Sequence, residues 1–331
     1  VGLHKTELDT PFLWVDLDVL EENITQTAAF FQAAGVSWRP HTKGIKTPAI
    51  AHMLLRAGAI GVTCAKLGEA EVMAAAGVQD ILIVNQIVGQ RKYTRLANLC
   101  RTVDVKIAID DTATLAELGA TAVDKGVDVG VVIEVDTGMN RAGIAPGKPV
   151  VALARAIDAT PGVALRGLMT WEAHALGIDD EMAKRATIAE AIGQLTASAD
   201  RCRQAGFAID IVSCGGSGTY RITAFEPGIT EIQAGGVIFK DMTYAGWGVP
   251  TEHALFVHSV VTSRPAPNRA IIDAGFKTLP RSSHMPKPIG FDGVADMFMS
   301  AEHGIITLDH DNNVIAVGDR HDFIPAYGDT T

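Results

Sequence analysis

The run Arg39-Pro40-His41-Thr42-Lys43 sets a guanidinium, an imidazole and an amine at alternate positions. In an extended strand that spacing puts all three on one face. On the inside of a barrel such cations need an anionic partner. A phosphate-bearing aldehyde meets both needs, since its phosphate supplies the charge and its carbonyl accepts the Lys43 amine. Partial desolvation lowers a lysine pKa and so favours attack to form a Schiff base. Lys46 lies three residues on and competes for that role, but falls in the loop after Gly44. An ordinary surface lysine at a strand end is the plainer alternative.

Four further stretches carry chemistry. Ser213-Cys214-Gly215-Gly216-Ser217-Gly218-Thr219-Tyr220 follows an apolar strand. Its glycines let backbone N–H groups approach an anion, and Ser217 and Thr219 add hydroxyls, although a Gly-rich turn is often only a turn. Glu134-Val135-Asp136-Thr137-Gly138-Met139-Asn140-Arg141-Ala142-Gly143 offers Arg141, whose donor fork suits a ligand oxygen or carboxylate. An Asp136–Arg141 ion pair closing the loop is the alternative. In Thr170-Trp171-Glu172-Ala173-His174, His174 is a candidate general base and Trp171 a pocket wall, against the commoner case of a structural histidine. Asp273-Ala274-Gly275-Phe276-Lys277 and Glu302-His303-Gly304 place polar groups at later strand ends that complete a pocket from the same chain or a partner subunit.

The elements that position these residues follow from periodicity. Between about residues 36 and 235, β-branched runs alternate with Ala-rich helical segments, the pattern of repeated βα units. Eight strands are predicted, at 36–43, 60–65, 81–86, 104–109, 129–136, 164–171, 208–214 and 230–235, with helices between them such as Gly68–Ala76. Eight favours a closed (β/α)8 barrel over an open sheet, with its site at the C-terminal strand ends. Beyond residue 250 the texture turns to strands at 255–262, 270–273, 304–308 and 314–317. Phe12 to Leu17 precedes a helix from Asp18 to Ala34 and supplies another strand to that β domain. The division expected is a barrel over 18–247 and a β domain from 1–17 with 248–331.

Composition excludes several classes. A formal charge of -10 with no basic stretch argues against nucleic acid. The longest apolar runs, Ile81-Leu82-Ile83-Val84 and Val129-Gly130-Val131-Val132-Ile133, are far short of the roughly 18 residues a membrane span needs. The N-terminal residues lack an apolar signal core, so the cytoplasm is expected. Cys64, Cys100, Cys202 and Cys214 are widely spaced and read as free thiols.

The first motif, Asp136-Thr137-Gly138-Met139-Asn140-Arg141-Ala142-Gly143, the Gly-rich run and Asp273-Ala274-Gly275-Phe276-Lys277 occur in an order that resembles the D-threonine aldolase and D-serine dehydratase family. That family belongs to the alanine-racemase-like pyridoxal-phosphate enzymes. The likeness runs from about Thr10 to the end, and it implies a (β/α)8 barrel followed by a β domain and a homodimer. It implies that Lys43 holds pyridoxal phosphate, with His41 in the same motif, that Ser217, Gly218 and Thr219 cradle the phosphate, and that Arg141 helps to hold the cofactor. Family members usually read P-H-x-K-T-H-K; this chain has Gly44-Ile45-Lys46, so the second His is missing. Trp171-Glu172-Ala173-His174 looks like a variant of the family's Y-x-G-H. Near the C-terminus relatives carry H-x-D or H-x-C, which binds a divalent cation such as Mg, Mn or Zn. Here Tyr327 stands where the His should be, leaving Asp329 as a weak metal ligand.

The reaction this implies is retro-aldol cleavage of a D-β-hydroxy-α-amino acid, of the D-threonine or 3-hydroxy-D-aspartate type, to glycine or its analogue and an aldehyde. His174 is the first candidate base, and Tyr327 assists if its surroundings lower its pKa. Elimination from D-serine or 3-hydroxyaspartate, racemisation, and non-catalytic pyridoxal-phosphate carriage are the alternatives. Elimination usually leans on the missing metal ligand, and such carriers lack a β domain.

Overall fold

The computed structural model describes residues 2–331. Eight short parallel strands form one sheet: Ser37–Trp38, Val62–Cys64, Asp80–Ile83, Asp104–Ile109, Val129–Glu134, Val163–Met169, Ile211–Cys214 and Glu231–Ile232. Each lies where the apolar runs predict it. Helices alternate with them, from Pro48–Arg56 to the short turn Tyr220–Thr223. Pro48 and Pro149 start their helices at the first turn, where a missing N–H costs nothing. The apolar core lies between strands and helices, and alternation along the strands sends one set of side chains outward into it. A smaller inner cluster of Leu82, Ala108, Val132 and Met169 fills the middle of the sheet's other face.

The first strand meets both neighbours. Ser37 and Trp38 pair with Glu231 and Ile232, and beyond the strand His41 bridges to Thr63, which joins the two ends of the sheet. The join is tight on the other side as well. A Cβ on Gly235 would lie 2.1 Å from the His41 carbonyl oxygen, so only glycine fits there.

Arg39 is buried directly after this closing strand. Its Nε donates to Glu231 at 2.9 Å and 3.0 Å, and its Nη1 to Asp80 at 2.5 Å. Lys106, also buried, donates to Asp80 at 2.8 Å and Asp104 at 2.7 Å. Burial alone would lower the Arg39 pKa, but Glu231 and Asp80 outweigh it and hold the group above its ordinary value. The anion expected for Arg39 is therefore a pair of protein carboxylates and not a ligand phosphate.

The remaining strands are antiparallel. In one sheet Leu255–Ala266 runs between Arg320–Ile324 and Arg269–Ile272, with Gly304–Leu308, Val294–Met299 and Lys287–Pro288 further out. Phe12–Val15 adds to Leu255–His258, and Trp14 stacks on Phe256. Residues 314–317 are not a strand. Asn312 Oδ1 takes the N–H groups of Val314 and Ile315, a local turn that withdraws them from any ladder. The chain divides into two compact units, residues 1–26 with 236–331, and residues 27–235. No helix among the described residues is long and apolar enough to cross a membrane.

Replacing Arg39 with Met strands Glu231, itself 2% exposed, without its cation. Breaking a buried pair from one side costs about 3–5 kcal/mol. Urea unfolding of the R39M variant is expected to show that loss, and a change near zero would remove Arg39 from the closure of the barrel.

Candidate active site

Lys43 does not continue the strand. Alternation ends at His41, and residues 42–45 form a turn in which the N–H groups of Ile45 and Lys46 return to the Thr42 carbonyl at 3.0 Å and 2.8 Å. The expectation that Arg39, His41 and Lys43 share one extended face is corrected accordingly. The turn is nonetheless well anchored. Thr42 is buried and sends both its N–H and its hydroxyl to the Thr63 carbonyl, at 2.7 Å and 3.0 Å. The Lys43 N–H donates to His41 Nδ1 at 3.2 Å. Lys43 and His41 are half-buried, whereas Lys46 is exposed.

The Gly-rich loop is shaped from beneath by a residue that the sequence reading quoted without assigning. Glu172 is fully buried and accepts the Thr219 hydroxyl at 2.7 Å, the Thr223 hydroxyl at 2.7 Å and the Gly215 N–H at 3.2 Å. Thr219 also accepts the Gly216 N–H at 3.2 Å. Its hydroxyl is thus spent on the loop itself. Trp171 lies against Gly216 so closely that a Cβ there would stand 2.3 Å from the indole. Ser217 is buried, and Gln233 reaches across to Ser213 at 2.8 Å.

Arg141 and His174 flank the loop that ends the Val129–Glu134 strand. Asp136 accepts the N–H groups of Gly138 and Asn140, both at 3.0 Å, which folds the loop back on itself. Arg141 is half exposed, and its Nη2 lies 3.7 Å from Glu134, not against Asp136. Glu134 also accepts from Gln86 Nε2 at 2.6 Å. Burial raises the Glu134 pKa, and the opposing pull of Gln86 and Arg141 does not restore it. Gln86 escaped the sequence reading, although it closes the third predicted strand. His174 sits in the turn Ala173–Gly177 with its ring on Gly138, and its buried Nδ1 has no hydrogen-bond partner.

Tyr327 and Asp329 lie in the other unit, in a cluster of their own. Tyr327 donates to Asp329 Oδ2 at 2.6 Å and Tyr244 donates to Oδ1 at 3.3 Å. Asp241 caps the helix Met242–Gly246 by accepting the Tyr244 N–H at 2.8 Å, and its second oxygen takes the Gly328 N–H at 2.7 Å. Burial, then Asp329, pushes the Tyr327 phenol up rather than down, so it is a hydrogen-bond donor near neutral pH and not a base. Burial raises the Asp241 carboxyl to about 7. Among the described residues no group of three or more His, Cys, Asp or Glu could hold a metal ion.

The later motifs build the β unit. Asp273 accepts the Ser259 hydroxyl at 2.6 Å and the Thr10 hydroxyl at 2.5 Å. Gly275 packs directly on Glu302 and His303, and Lys277 pairs with Glu302 at 2.6 Å on the surface.

Residues 15–243 match the model of the alanine racemase N-terminal domain, and residues 254–331 that of a putative serine dehydratase domain. The chain belongs to the alanine-racemase-like family, in the group that adds this second domain. All of it aligns with 88% of a D-threonine aldolase from an Arthrobacter species at 33% identity, and with 88% of a 3-hydroxy-D-aspartate aldolase from Paracoccus denitrificans (strain Pd 1222) at 31%. The solved D-threonine aldolase of Filomicrobium marinum superposes with a TM-score of 0.94 at 33% identity, covering 98% of this chain and 89% of that one. The D-threo-3-hydroxyaspartate dehydratase of Delftia sp. HT23 gives 0.91 at 27%, covering 98% and 92%. A cysteine-to-alanine mutant of a dehydratase of that name is solved in a metal-free form. These whole-length relatives are lyases, and the chain belongs with them.

Two outcomes test this geometry. In Glu172→Gln the new amide faces the Gly215 N–H with a donor, and an unmet buried pair of this kind costs about 1–3 kcal/mol. Hydrogen exchange should quicken at Gly215 and Gly216, and unchanged protection would detach Glu172 from the loop. For Asp241, the unfolded carboxyl ionises near its ordinary 3.8 while the folded one keeps its proton to about 7. The folded state binds more protons in that window, so this group's contribution to stability declines as pH rises through it. Melting temperatures across that range should fall less steeply for Asp241→Asn than for the wild type.

Proposed function

We propose that the chain is a pyridoxal-phosphate-dependent aldolase that cleaves D-β-hydroxy-α-amino acids of the D-threonine or 3-hydroxy-D-aspartate type to glycine or its analogue and an aldehyde. The whole-length likeness to two aldolases carries the reading.

The residues of the barrel unit fit the cofactor. Glycine at position 216 lets the Trp171 indole pack directly on the Gly-rich loop, and the orphaned Nδ1 of His174 is a polar atom without a partner in the protein. Lys43 would hold the aldehyde carbon through its amine, the Gly-rich loop at Ser217 and Gly218 the phosphate, and Arg141, steadied by Glu134, an oxygen of the ring, while Thr219, whose N–H donates to the Gly216 carbonyl at 3.1 Å, shapes that loop. His41 fixes the Lys43 turn through its Nδ1. When bound, pyridoxal phosphate supplies the electron sink that stabilises charge at Cα.

The chain's own part is positioning and proton transfer. Because Glu172 consumes the Thr219 hydroxyl, Thr219 gives the loop its shape, and the phosphate is met by backbone N–H groups. His174 takes the proton of the substrate β-hydroxyl as the Cα–Cβ bond breaks to give the aldehyde, and a proton returned to Cα completes glycine. We further infer a cytoplasmic homodimer, in keeping with the resemblance.

Incubation with D-threonine, D-serine and D-alanine distinguishes the reactions: aldehyde from D-threonine is expected, ammonia would mark elimination, and inversion alone racemisation. Lys43→Ala should lose both turnover and the visible absorbance of the bound cofactor, whereas Lys46→Ala should keep that absorbance. Retention of the band in Lys43→Ala would overturn the assignment of the lysine.

A further inference from the structure

Asp329 is the one carboxylate in residues 324–331, and both of its oxygens are engaged. The 2.6 Å bond from Tyr327 is a charge-assisted O–H···O contact of the strong kind, and Tyr244 meets the other oxygen. The next carboxylate, Asp241, has one oxygen on the Tyr244 N–H and the other on the Gly328 N–H. The two phenol rings meet edge to face, 5.9 Å apart centroid to centroid. A hard divalent cation seeks several anionic or carbonyl oxygens, or imidazole nitrogens for the later transition metals. The Tyr327–Asp329 segment offers a single carboxylate, each of whose oxygens already accepts a phenol, and no imidazole, so the residues do not fit a cation.

We propose that this chain has replaced a divalent-cation site with the hydrogen-bonded cluster Tyr244–Asp329–Tyr327, and that its reaction runs without a divalent cation. The second half of the statement rests on the aldolase reading; the first does not. The exchange has a chemical consequence. A cation acts as a Lewis acid that draws electron density from a hydroxyl oxygen, and a phenol–carboxylate cluster orients without that pull. Loss of hydroxide from Cβ depends most on the pull, whereas removal of a proton from the β-hydroxyl needs only a base. The cluster therefore goes with cleavage and against elimination.

The holoenzyme, dialysed against EDTA, is titrated with MnCl2 while the electron paramagnetic resonance of free Mn2+ is followed, and D-threonine cleavage is assayed before and after chelation. Wild-type protein should leave the signal undiminished and keep its rate. Tyr327→His, which restores a His-x-Asp spacing, combined with Tyr244→Phe, which frees an Asp329 oxygen, should quench it. Quenching by one Mn2+ per wild-type chain, or a rate lost to EDTA and restored by Mn2+, overturns the proposal. If the engineered pair fails to fold, the wild-type titration still decides. Absence of D-threonine turnover sinks the aldolase reading alone, because Mn2+ binding is read without substrate.

Discussion

Arg39 is the constraint on which the barrel depends. It sits directly after the strand that joins the sheet's two ends, and its guanidinium is shared between Glu231 on the last strand and Asp80 on the third. A buried cation is tolerable only when its hydrogen-bonding fork is filled, and the planar geometry of arginine lets one side chain do this toward two strands at once. Lys106 completes the same layer by pairing with Asp80 and Asp104. With the first strand held at both edges, the turn that carries Lys43 begins at Thr42 at a fixed place, and Thr42 locks it by two bonds to Thr63.

One arrangement recurs through the molecule, in which a single carboxylate gathers several donors. Glu172 draws Gly215, Thr219 and Thr223 together, Asp136 folds its own loop, Asp241 joins a helix start to Gly328, and Asp329 takes two phenols. Each removes a carboxylate from general use and turns it into scaffold. Of the carboxylates near the quoted motifs, Glu134 differs: burial dominates it, and its partners are an amide and an arginine at 3.7 Å.

Much of this was legible in the sequence, and the limit is physical. The eight barrel strands are short apolar runs flanked by helices, and that contrast is local, so each was placed. Residues 314–317 carry the β-branched residues of a strand, yet Asn312, upstream of them, takes the backbone of the segment into a turn. Lys43 was singled out through a strand alternation that in fact ends two residues earlier, at His41. Arg39 was read as a cation awaiting a ligand because its partners stand 41 and 192 residues away. Glu172 was invisible for the same reason, its donors lying 43 to 51 residues downstream. Motif spacing reports which backbone turns exist; it says nothing of which side chains meet across the barrel.

The two units differ in what they leave for a ligand. In the barrel unit, Glu172 is satisfied by the Gly-rich loop, the Lys43 turn is fixed by His41, and the buried Nδ1 of His174 has no hydrogen-bond partner. In the β unit, the Tyr327–Asp329 pair is satisfied internally, and nothing there keeps an anionic oxygen open. Substituting a phenol for an imidazole two residues before an aspartate exchanges an electron-pair donor for a hydrogen-bond donor. That single change inverts the role of Asp329, from a group that would share a cation to one that accepts protons from its neighbours. Burial raises the Tyr327 phenol, so it keeps its proton and spends it on Asp329, which makes the pair a hydrogen-bonded anchor for the short turn Gly328–Thr330.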